Sequence, residues 1–372
     1  MQVMAPEAAV GHVPAVPNHP DVGIEIVPAK PLLLHRPPLQ RTDANSPVLR
    51  RDGRTLAFVS HYLPRGHTLR HAEESSLWPD GSFEPVRLLD DATPEVGKWI
   101  ESVWRAPDGR LFGWYHAEEL PCPTRLFVPH IGALASDDEG RSWRFLGELM
   151  RAPPDSFDCT YRNGFLAGGY GDFCVVPDRG AQWFYLHYSS YVRDERKQGV
   201  SVLRYPVTAR ERPVGLEFWR DGAWHVKEGT NDATPIFGVA RGWQHRDPAA
   251  YWGPAIHYNR DLDLHVMLLN WTENGNADIV QRGVFVSFNA DLGNPAGWSP
   301  PRRIVEGGSW YPQAIGLGAN DGDTLAGTEA RFFLSGFSAW TIRFRRGASD
   351  MLAAPVPISR ETFAELFGFA PW

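Results

Sequence analysis

Four ionisable side chains lie near predicted strand ends, where they could act on one substrate. Asp172 follows a glycine-rich run, residues 168–171, at the start of an apolar strand, and Glu101 begins another strand. His116 and Glu118 end a returning strand, and their spacing of two places them on the same side. Two acids in one pocket are the minimum for hydrolysis of a glycosidic bond. One acid protonates the leaving oxygen, while the other activates water or attacks the anomeric carbon.

Aromatic and polar side chains near the same strand starts could line a sugar site, because flat rings stack on sugar faces. The residues with this placement are Trp99, Tyr170, Tyr188, Trp252, Tyr311, Gln313, Glu273 and Asn45. Asp43 is a further acid in an uncertain first strand. Structural roles are the alternative: Asp172 could cap its turn, Glu101 could pair with a neighbouring loop, and a Trp could pack between sheets.

A hairpin pattern that occurs twice indicates the scaffold that would bring these residues together. Residues 136–143 have the form S-x-D-x-G-x-S-W, and a looser copy covers residues 287–299. In each copy a strand ends at a hydroxyl residue, Asp with Gly or Asn tightens the turn, and a Trp covers the hairpin. Strand-turn-strand units begin near Pro47, Glu101, Gly171, Trp252 and Tyr311. The pattern predicts an all-β, five-bladed β-propeller.

The propeller hypothesis explains how distant acids could meet. The innermost strands of a propeller converge on the axis, so the residues that begin them share one end of the molecule. We expect a Pro-rich arm at residues 1–40, whose apolar stretch could give a closing edge strand. The propeller would cover residues 41–346, and a tail with a short helix capped by Ser359 would cover 347–372. His257 and His265 lie inside strands and are predicted to be core or interblade residues.

Composition and missing motifs exclude several classes of protein. The 372-residue chain carries a formal net charge of −7, which gives no basic surface for nucleic acid. Its three cysteines have no disulfide or metal-ligand spacing and are predicted to be reduced. No signal-like start or membrane-length apolar run is present, so we expect a cytoplasmic protein without a membrane partner. Serine-hydrolase, zinc-protease and nucleotide-binding motifs are absent from the sequence. The sequence does not determine the oligomeric state.

The two hairpins resemble motifs of known propellers. Residues 136–143 resemble the Asp box of sialidases and related propellers. Residues 286–301 are similar to the S-x-D-L…W-S-x-P hairpin of five-bladed glycoside hydrolases of the arabinanase, xylosidase and levansucrase type. The strand starts also resemble those of a group of uncharacterised bacterial propellers. These starts are residues 99–104, 169–173, 251–254 and 310–313.

The resemblance implies a base Asp, an orienting Asp and an acid Glu from successive blades. Asp172 resembles one of the aspartates, and Glu101 or Glu118 could be the acid. Asn45 stands where a first-blade acid would be expected. We therefore expect a glycoside hydrolase acting on a pentose- or hexose-containing glycan, with Asp172 as base or nucleophile. No cofactor is expected, although a structural cation on the propeller axis is compatible with the fold.

Two alternatives from other classes remain open at this point. A non-catalytic carbohydrate-binding propeller would keep aromatic walls without a working acid pair. A polysaccharide lyase would use His116 and a tyrosine such as Tyr188 to transfer protons. In every interpretation a carbohydrate is the expected partner. Because a fold does not determine a reaction, the geometry of the site must distinguish the hydrolase, the binding protein and the lyase.

Overall fold

The strands of the chain form five sheets that follow one another along the sequence. The computed structural model describes residues 21–34, 41–61, 67–74, 78, 83–229, 233–273, 281–347 and 354–368. Within these residues the protein is nearly all β, with one α-helix at the C-terminal end. The sheets are numbered I to V by the position of their innermost strands in the sequence.

Sheets I and II come from the first 150 residues, except that β1 (Val22–Leu33) belongs to sheet V. Sheet I contains β2 (Val48–Arg51), β3 (Arg54–His61), β4 (His67–Glu74) and β5 (Glu84–Pro85). Sheet II has the order β6-β10-β9-β8-β7, formed by β6 (Arg87–Leu89), β7 (Gly97–Arg105), β8 (Leu111–Glu119), β9 (Val128–Ser136) and β10 (Ser142–Met150).

Sheets III and IV are the widest. Sheet III contains β11 (Tyr170–Pro177), β12 (Trp183–Ser190), β13 (Gly199–Pro206), β14 (Glu217–Arg220), β15 (Ala223–Val226) and β16 (Phe237–Gly238). Sheet IV is built on β17 (Ala250–Asn259), β18 (Leu264–Thr272), β19 (Gln281–Asn289) and β20 (Arg302–Gly307). Two short strands from later in the chain border it, and these are described with sheet V.

Sheet V combines both ends of the described chain. It has the order β1-β24-β23-β21, formed with β21 (Gln313–Gly316), β23 (Glu329–Leu334) and β24 (Phe337–Arg346). The intervening β22 (Leu325–Ala326) and the later β25 (Val356–Ile358) pair in parallel with the two edges of sheet IV. Strand β1 pairs antiparallel with β24 and includes the apolar stretch 23–27. Residues 1–20 and 35–40 of the predicted arm lie outside the described residues.

The innermost strands contact one another in succession, and these five strands, β2, β7, β11, β17 and β21, are called the hub. Hydrogen bonds close the ring between β21 and the segment before β2. The Ser46 backbone N–H donates to Gln313 Oε1 at 3.1 Å, and Gln313 Nε2 donates to the Ser46 carbonyl at 2.8 Å. The arrangement of the sheets is therefore propeller-like, which agrees with the predicted fold class.

Large rings fill the space between neighbouring sheets. Between sheets II and III, Trp114 Nε1 donates to the Tyr205 hydroxyl at 2.9 Å, and Phe184 packs against both rings. Strand β9 is buried along its whole length because other strands and sheets cover it on all sides. Burial of these aromatic surfaces provides most of the driving force that holds the sheets face to face.

The hairpin at residues 136–143 is held by its own side chains. Gly140 N–H donates to Ser136 Oγ at 2.8 Å, and Ser142 N–H donates to Asp138 Oδ1 at 2.8 Å. Trp143 is buried and donates from Nε1 to the Gly140 carbonyl at 3.0 Å. Gly140 has φ +81, and a Cβ there would collide with the Phe58 ring, so this turn requires glycine.

One expectation about the cysteines is corrected. Cys122 and Cys159 form a disulfide although 37 residues separate them, while Cys174 is a buried free thiol. The pairing arises from the fold, because a β-bridge between Phe127 and Leu166 brings the two segments side by side. Sequence spacing alone could not reveal this contact.

The C-terminal tail contains the helix α1 (Arg360–Phe367). Ser359 Oγ accepts a hydrogen bond from the Thr362 backbone N–H at 3.2 Å and so caps its first turn. Phe363 is buried against Phe337 and Trp340, and it attaches the helix to sheet V. In the described part of the chain, no helix is long and apolar enough to span a lipid bilayer.

Candidate active site

A β-bulge interrupts three hub strands near their beginnings. The pairing of β7 with β8 skips Glu101, and the pairing of β11 with β12 skips Asp172. The pairing of β17 with β18 shifts at residues 253–254. A bulge adds a residue to one strand and re-aims its side chain. Each bulge therefore releases a residue from its ladder, and two of the released residues are acids.

Glu101 is paired with His116 beneath the site. His116 Nδ1 donates to Glu101 Oε1, and the Phe173 backbone N–H donates to Glu101 Oε2 at 3.0 Å. The Trp99 indole stacks on the imidazole with ring centroids 4.7 Å apart. The side chain of Glu101 is 0% exposed. Because its side chain has no exposed surface, Glu101 is poorly placed to protonate a substrate, whereas Asp172 is only partly buried.

In the Glu101–His116 pair, the imidazole holds its proton more strongly than the carboxyl group does. Burial raises the pKa of Glu101 to about 7, against the opposing charge of His116. Burial alone would lower the pKa of His116, but the charge and hydrogen bond of Glu101 outweigh burial and raise that pKa to about 9. The proton therefore stays on the imidazole, which places a fixed positive charge beside the other acids.

Asp172 accepts hydrogen bonds from two tyrosines of different sheets. The Tyr311 hydroxyl donates to Asp172 Oδ1 at 2.9 Å, and the Tyr191 hydroxyl donates to Oδ2. Asp172 has φ +43, a left-handed conformation that is uncommon for a residue other than glycine. The Ser189 hydroxyl donates to the Asp172 carbonyl at 3.2 Å and supports this geometry.

Asp43, in the segment before β2, interacts electrostatically with the same charged residues. Burial, and then the negative charge of Glu118, raise the pKa of Asp43 to about 8, and Asp172 adds to the effect. The charges of Arg41 and His116 oppose the shift without cancelling it. Asp43 is therefore largely protonated at neutral pH.

The remaining charged groups surround these two carboxyl groups. Glu118 Oε1 lies 4.0 Å from His116 Nε2, on the side of the imidazole away from Glu101. The Arg41 guanidinium lies over the Trp310 ring, 4.2 Å from its centroid. Among the described residues, no group of three or more His, Cys, Asp or Glu side chains is arranged to hold a metal ion.

The predicted sugar-stacking rings are buried rather than exposed at the site. Trp99 stacks on His116, and Tyr188 packs edge-on against Tyr170 inside the core between sheets II and III. Trp252 is buried against Tyr311, with ring centroids 5.6 Å apart. These rings were expected to contact substrate, but the sheets pack closely enough at the hub to enclose them.

Three predicted polar contacts also have structural partners. Asn45 Nδ2 donates to the carbonyls of Phe173 at 3.1 Å and Pro254 at 2.9 Å, and so links sheets III and IV to the segment before sheet I. Gln313 closes the ring with Ser46. Glu273 accepts a hydrogen bond from Trp271 Nε1 at 3.3 Å at the end of β18 and is not brought to the acid cluster.

An open cavity of about 360 Å³ is lined mainly by the loop residues 153–156 and 192–197. Its wall includes Tyr170, two residues before Asp172, and Val192, the residue after Tyr191. Nothing in the local sequence pattern around Tyr191 indicates contact with Asp172. The local signal in the sequence was the glycine-rich run that precedes Asp172.

Comparisons with known proteins support the fold. No protein-family model matches the sequence, and no curated protein matches it either. A protein described as an exo-β-1,3-galactanase from Bifidobacterium bifidum s17 has a similar structure. It matches with a TM-score of 0.50 and 13% sequence identity, over 86% of this chain and 92% of that chain. At this identity the likeness shows the fold alone, which is a β-propeller.

Two further solved structures match less closely. The α-L-arabinanase of Penicillium chrysogenum, complexed with arabinobiose, gives a TM-score of 0.47 at 14% identity over 84% of this chain and 85% of that chain. The GH93 α-L-arabinofuranosidase of Fusarium graminearum, also complexed with arabinobiose, gives 0.48 at 14% identity over 85% of both chains. These values add nothing to the identification of the reaction, for which the site itself is the basis.

Proposed function

We propose that the protein is a glycoside hydrolase in which Asp43 is the general acid and Asp172 the general base. The observation that carries the proposal is a pair of interacting acids in different surroundings. Burial keeps a proton on Asp43 at neutral pH, whereas Asp172 accepts hydrogen bonds from two phenols. Acid–base hydrolysis requires such a pair on either side of a glycosidic bond.

The proposed reaction is a single displacement by water. Asp172 takes a proton from water while the water oxygen bonds to the anomeric carbon, and the bond from that carbon to the leaving oxygen breaks. Asp43 gives its proton to the leaving oxygen, so the products are a hemiacetal and an alcohol. We assign Asp172 as base rather than nucleophile, because two hydrogen bonds engage lone pairs of its oxygens and weaken their attack on carbon. This assignment predicts inversion at the anomeric carbon.

The Glu101–His116 pair has a supporting role in this proposal. Its positive imidazolium lies near both working acids and stabilises the negative charge of Asp172. The same charge argues against the lyase alternative, since a protonated His116 cannot act as a base at neutral pH. A binding protein without catalysis is less supported, because the rings expected to form its aromatic walls are buried.

The fold supports pentose and hexose glycans as the first substrates to assay. The galactanase-like propeller favours galactosides, and the sequence resemblance to arabinanase- and xylosidase-type enzymes favours arabinosides and xylosides. We also infer that the five sheets are five blades of one propeller, with residues 136–143 as a structural Asp box. A crystal structure with a different number of sheets around the hub would overturn that inference.

The Cys122–Cys159 disulfide favours folding in an oxidising compartment over the cytoplasmic location first expected. Mass measurement of the protein from its native source after thiol alkylation under non-reducing conditions tests this. Alkylation of all three cysteines would support the cytoplasm.

The decisive experiment compares aryl glycosides that differ in their leaving groups. Asp172→Asn and Asp43→Asn should each lose about 100-fold or more in kcat on alkyl or nitrophenyl glycosides, because each removes a proton-transfer group. A dinitrophenyl leaving group needs no protonation, so it should restore the rate of Asp43→Asn but not that of Asp172→Asn. Wild-type activity should fall as pH rises through about 8, where Asp43 loses its proton.

Asp323→Asn is the matched control, because Asp323 is another hub carboxyl. It accepts a hydrogen bond from the Val48 N–H at 2.9 Å, outside the acid cluster. This variant should keep wild-type turnover. Sugar binding without turnover of any glycoside, or full activity in Asp172→Asn, would overturn the proposed function.

A further inference from the structure

Two tyrosines from opposite parts of the ring meet at one carboxylate. Tyr191 follows β12 of sheet III, and Tyr311 precedes β21 of sheet V. They donate to different oxygens of Asp172, so the carboxylate lies between two phenols. Both tyrosines are buried, with exposed fractions of 1% and 7%. A phenol in this environment needs a hydrogen-bond acceptor, and Asp172 is the acceptor for both.

The surrounding structure fixes the position of each phenol. The Tyr311 N–H donates to Asn270 Oδ1 at 3.0 Å, and Tyr311 itself has the left-handed φ of +52. The Tyr191 N–H donates to the Gly169 carbonyl at 3.0 Å, and its ring packs edge-on against Trp243 at 4.9 Å. Neither side chain can turn away without breaking close packing, so the two hydroxyls define where Asp172 points.

The two phenols keep their protons and donate them to Asp172. Burial, and next the negative charge of Asp172, raise the pKa of both tyrosines well above the ordinary value. Neither phenol therefore ionises near neutral pH. Because the two O–H donors bind different oxygens of Asp172, they hold its carboxyl group in one orientation.

We propose that Tyr191 and Tyr311 are positioning residues, which hold the carboxyl group of Asp172 in one orientation while it serves as the base. This inference rests on the proposed function for its kinetic consequence, but its structural content is independent of any substrate. It explains why Asp172 occupies an unfavourable backbone conformation. The conformation places the carboxylate between two donors that belong to different sheets.

The kinetic test uses Tyr191→Phe and Tyr311→Phe. Each change removes one hydrogen bond to a charged group, so kcat should fall by about 10-fold to 100-fold with KM within about threefold. The melting temperature of each variant should be measured beside its kinetics. A loss confined to kcat in a folded variant indicates positioning of the base, whereas a purely structural role would lower the melting temperature without this selective loss.

Tyr205→Phe is the matched control for the loss of a buried hydroxyl. Tyr205 is 1% exposed, and its hydroxyl accepts a hydrogen bond from Trp114 at 2.9 Å, away from the acids. The control should lose some stability while keeping kcat. An active wild-type enzyme whose kcat is unchanged in both Tyr191→Phe and Tyr311→Phe would overturn the inference.

A second measurement needs no activity and separates the two proposals. In protein labelled with ¹³Cζ-tyrosine, the hydroxyl protons of Tyr191 and Tyr311 should give slowly exchanging, downfield NMR signals. Both signals should shift upfield or disappear in Asp172→Asn, while that of Tyr205 stays unchanged. If the wild type hydrolyses no glycoside and these shifts occur, the proposed function fails while the assigned contacts stand. Signals that do not respond to Asp172→Asn would overturn the inference whatever the activity.

Discussion

His116 in sheet II and His187 in sheet III are both buried, yet their surroundings have opposite effects on their charge. His116 contacts the carboxylate of Glu101, which raises its pKa to about 9. His187 has no hydrogen-bond partner at either ring nitrogen in the described structure, and burial lowers its pKa to about 3. His257 and His265, on the adjacent sheet IV, have pKa values lowered by burial to about 3 and 4.

The difference shows that burial alone does not make a functional site. Both regions are formed where sheets pack closely, and both contain histidines on hub or neighbouring strands. The region around His187 excludes charge and behaves as core, whereas the region around His116 contains several acids that require a positive partner. A functional interpretation therefore rests on the charged neighbours of a buried histidine.

The largest expected effect comes from removing the partner of His116. Glu101→Gln leaves a buried imidazole without its carboxylate, so the free energy of unfolding at pH 7 should fall by about 3–5 kcal/mol. The pKa of His116 should also move below its present value of about 9, because its main favourable interaction is lost. Urea unfolding and NMR titration of the imidazole would measure both.

Glu118→Gln is the control for that experiment. Glu118 lies 4.0 Å from His116 and is partly exposed, so its loss should cost less than about 1 kcal/mol. Equal destabilisation in the two variants would contradict the view that Glu101 is the partner that determines the charge of His116.

An intermediate effect is expected where histidines are held neutral. The folded pKa of His187 is lowered to about 3, so the unfolded state binds its proton first, and stability from this group is lost as pH falls below about 6.5. Between pH 7 and pH 5 the loss amounts to about 2 kcal/mol. Between pH 7 and pH 5, the free energy of unfolding of His187→Phe should therefore fall by about 2 kcal/mol less than that of the wild type. Urea unfolding at both pH values measures this difference.

The new phenyl ring changes the packing, and this changes the free energy of unfolding equally at both pH values. The difference between the two pH values therefore does not contain the packing effect. The groups that act on the three histidines are Arg179, Asp263, Asp291 and the histidines themselves. His245→Phe, at an exposed position, should leave the pH dependence unchanged. An identical pH dependence in His187→Phe would show that His187 binds its proton equally well in the folded and unfolded protein, which would contradict the prediction.

The smallest expected effect concerns the ring that covers His116. Trp99→Phe keeps an aromatic neighbour but weakens the interaction of the indole face with the imidazolium. The pKa of His116 should fall by about half a unit, as followed by NMR titration. Trp104→Phe makes the same substitution on β7 against phenyl rings, and it should not change the pKa of His116.

The sequence indicated the all-β propeller fold because its signals are local. The turn at residues 136–143 uses only side chains within eight positions, and the alternation of short strands and Gly- or Asp-containing turns repeats through the chain. The acids at strand starts could also be found this way, because Glu101 and Asp172 interrupt apolar segments. These features depend on neighbours in sequence, which propensity and turn chemistry determine directly.

The roles within the site could not be obtained from the sequence. Whether Glu101 faces a substrate or a histidine depends on the bulge in β7 and on Phe173, which comes from another sheet. The burial of Trp99, Tyr188 and Trp252 and the pairing of Cys122 with Cys159 likewise depend on how sheets close around the hub.

The chain by itself determined the local elements and the types of chemical group available, because turns and strands form from adjacent residues. Only the tertiary structure decided which acid keeps a proton. Protonation depends on desolvation and on charges within a few ångströms, and here those charges come from residues such as Asp43, Glu118 and Asp172, which lie far apart along the chain.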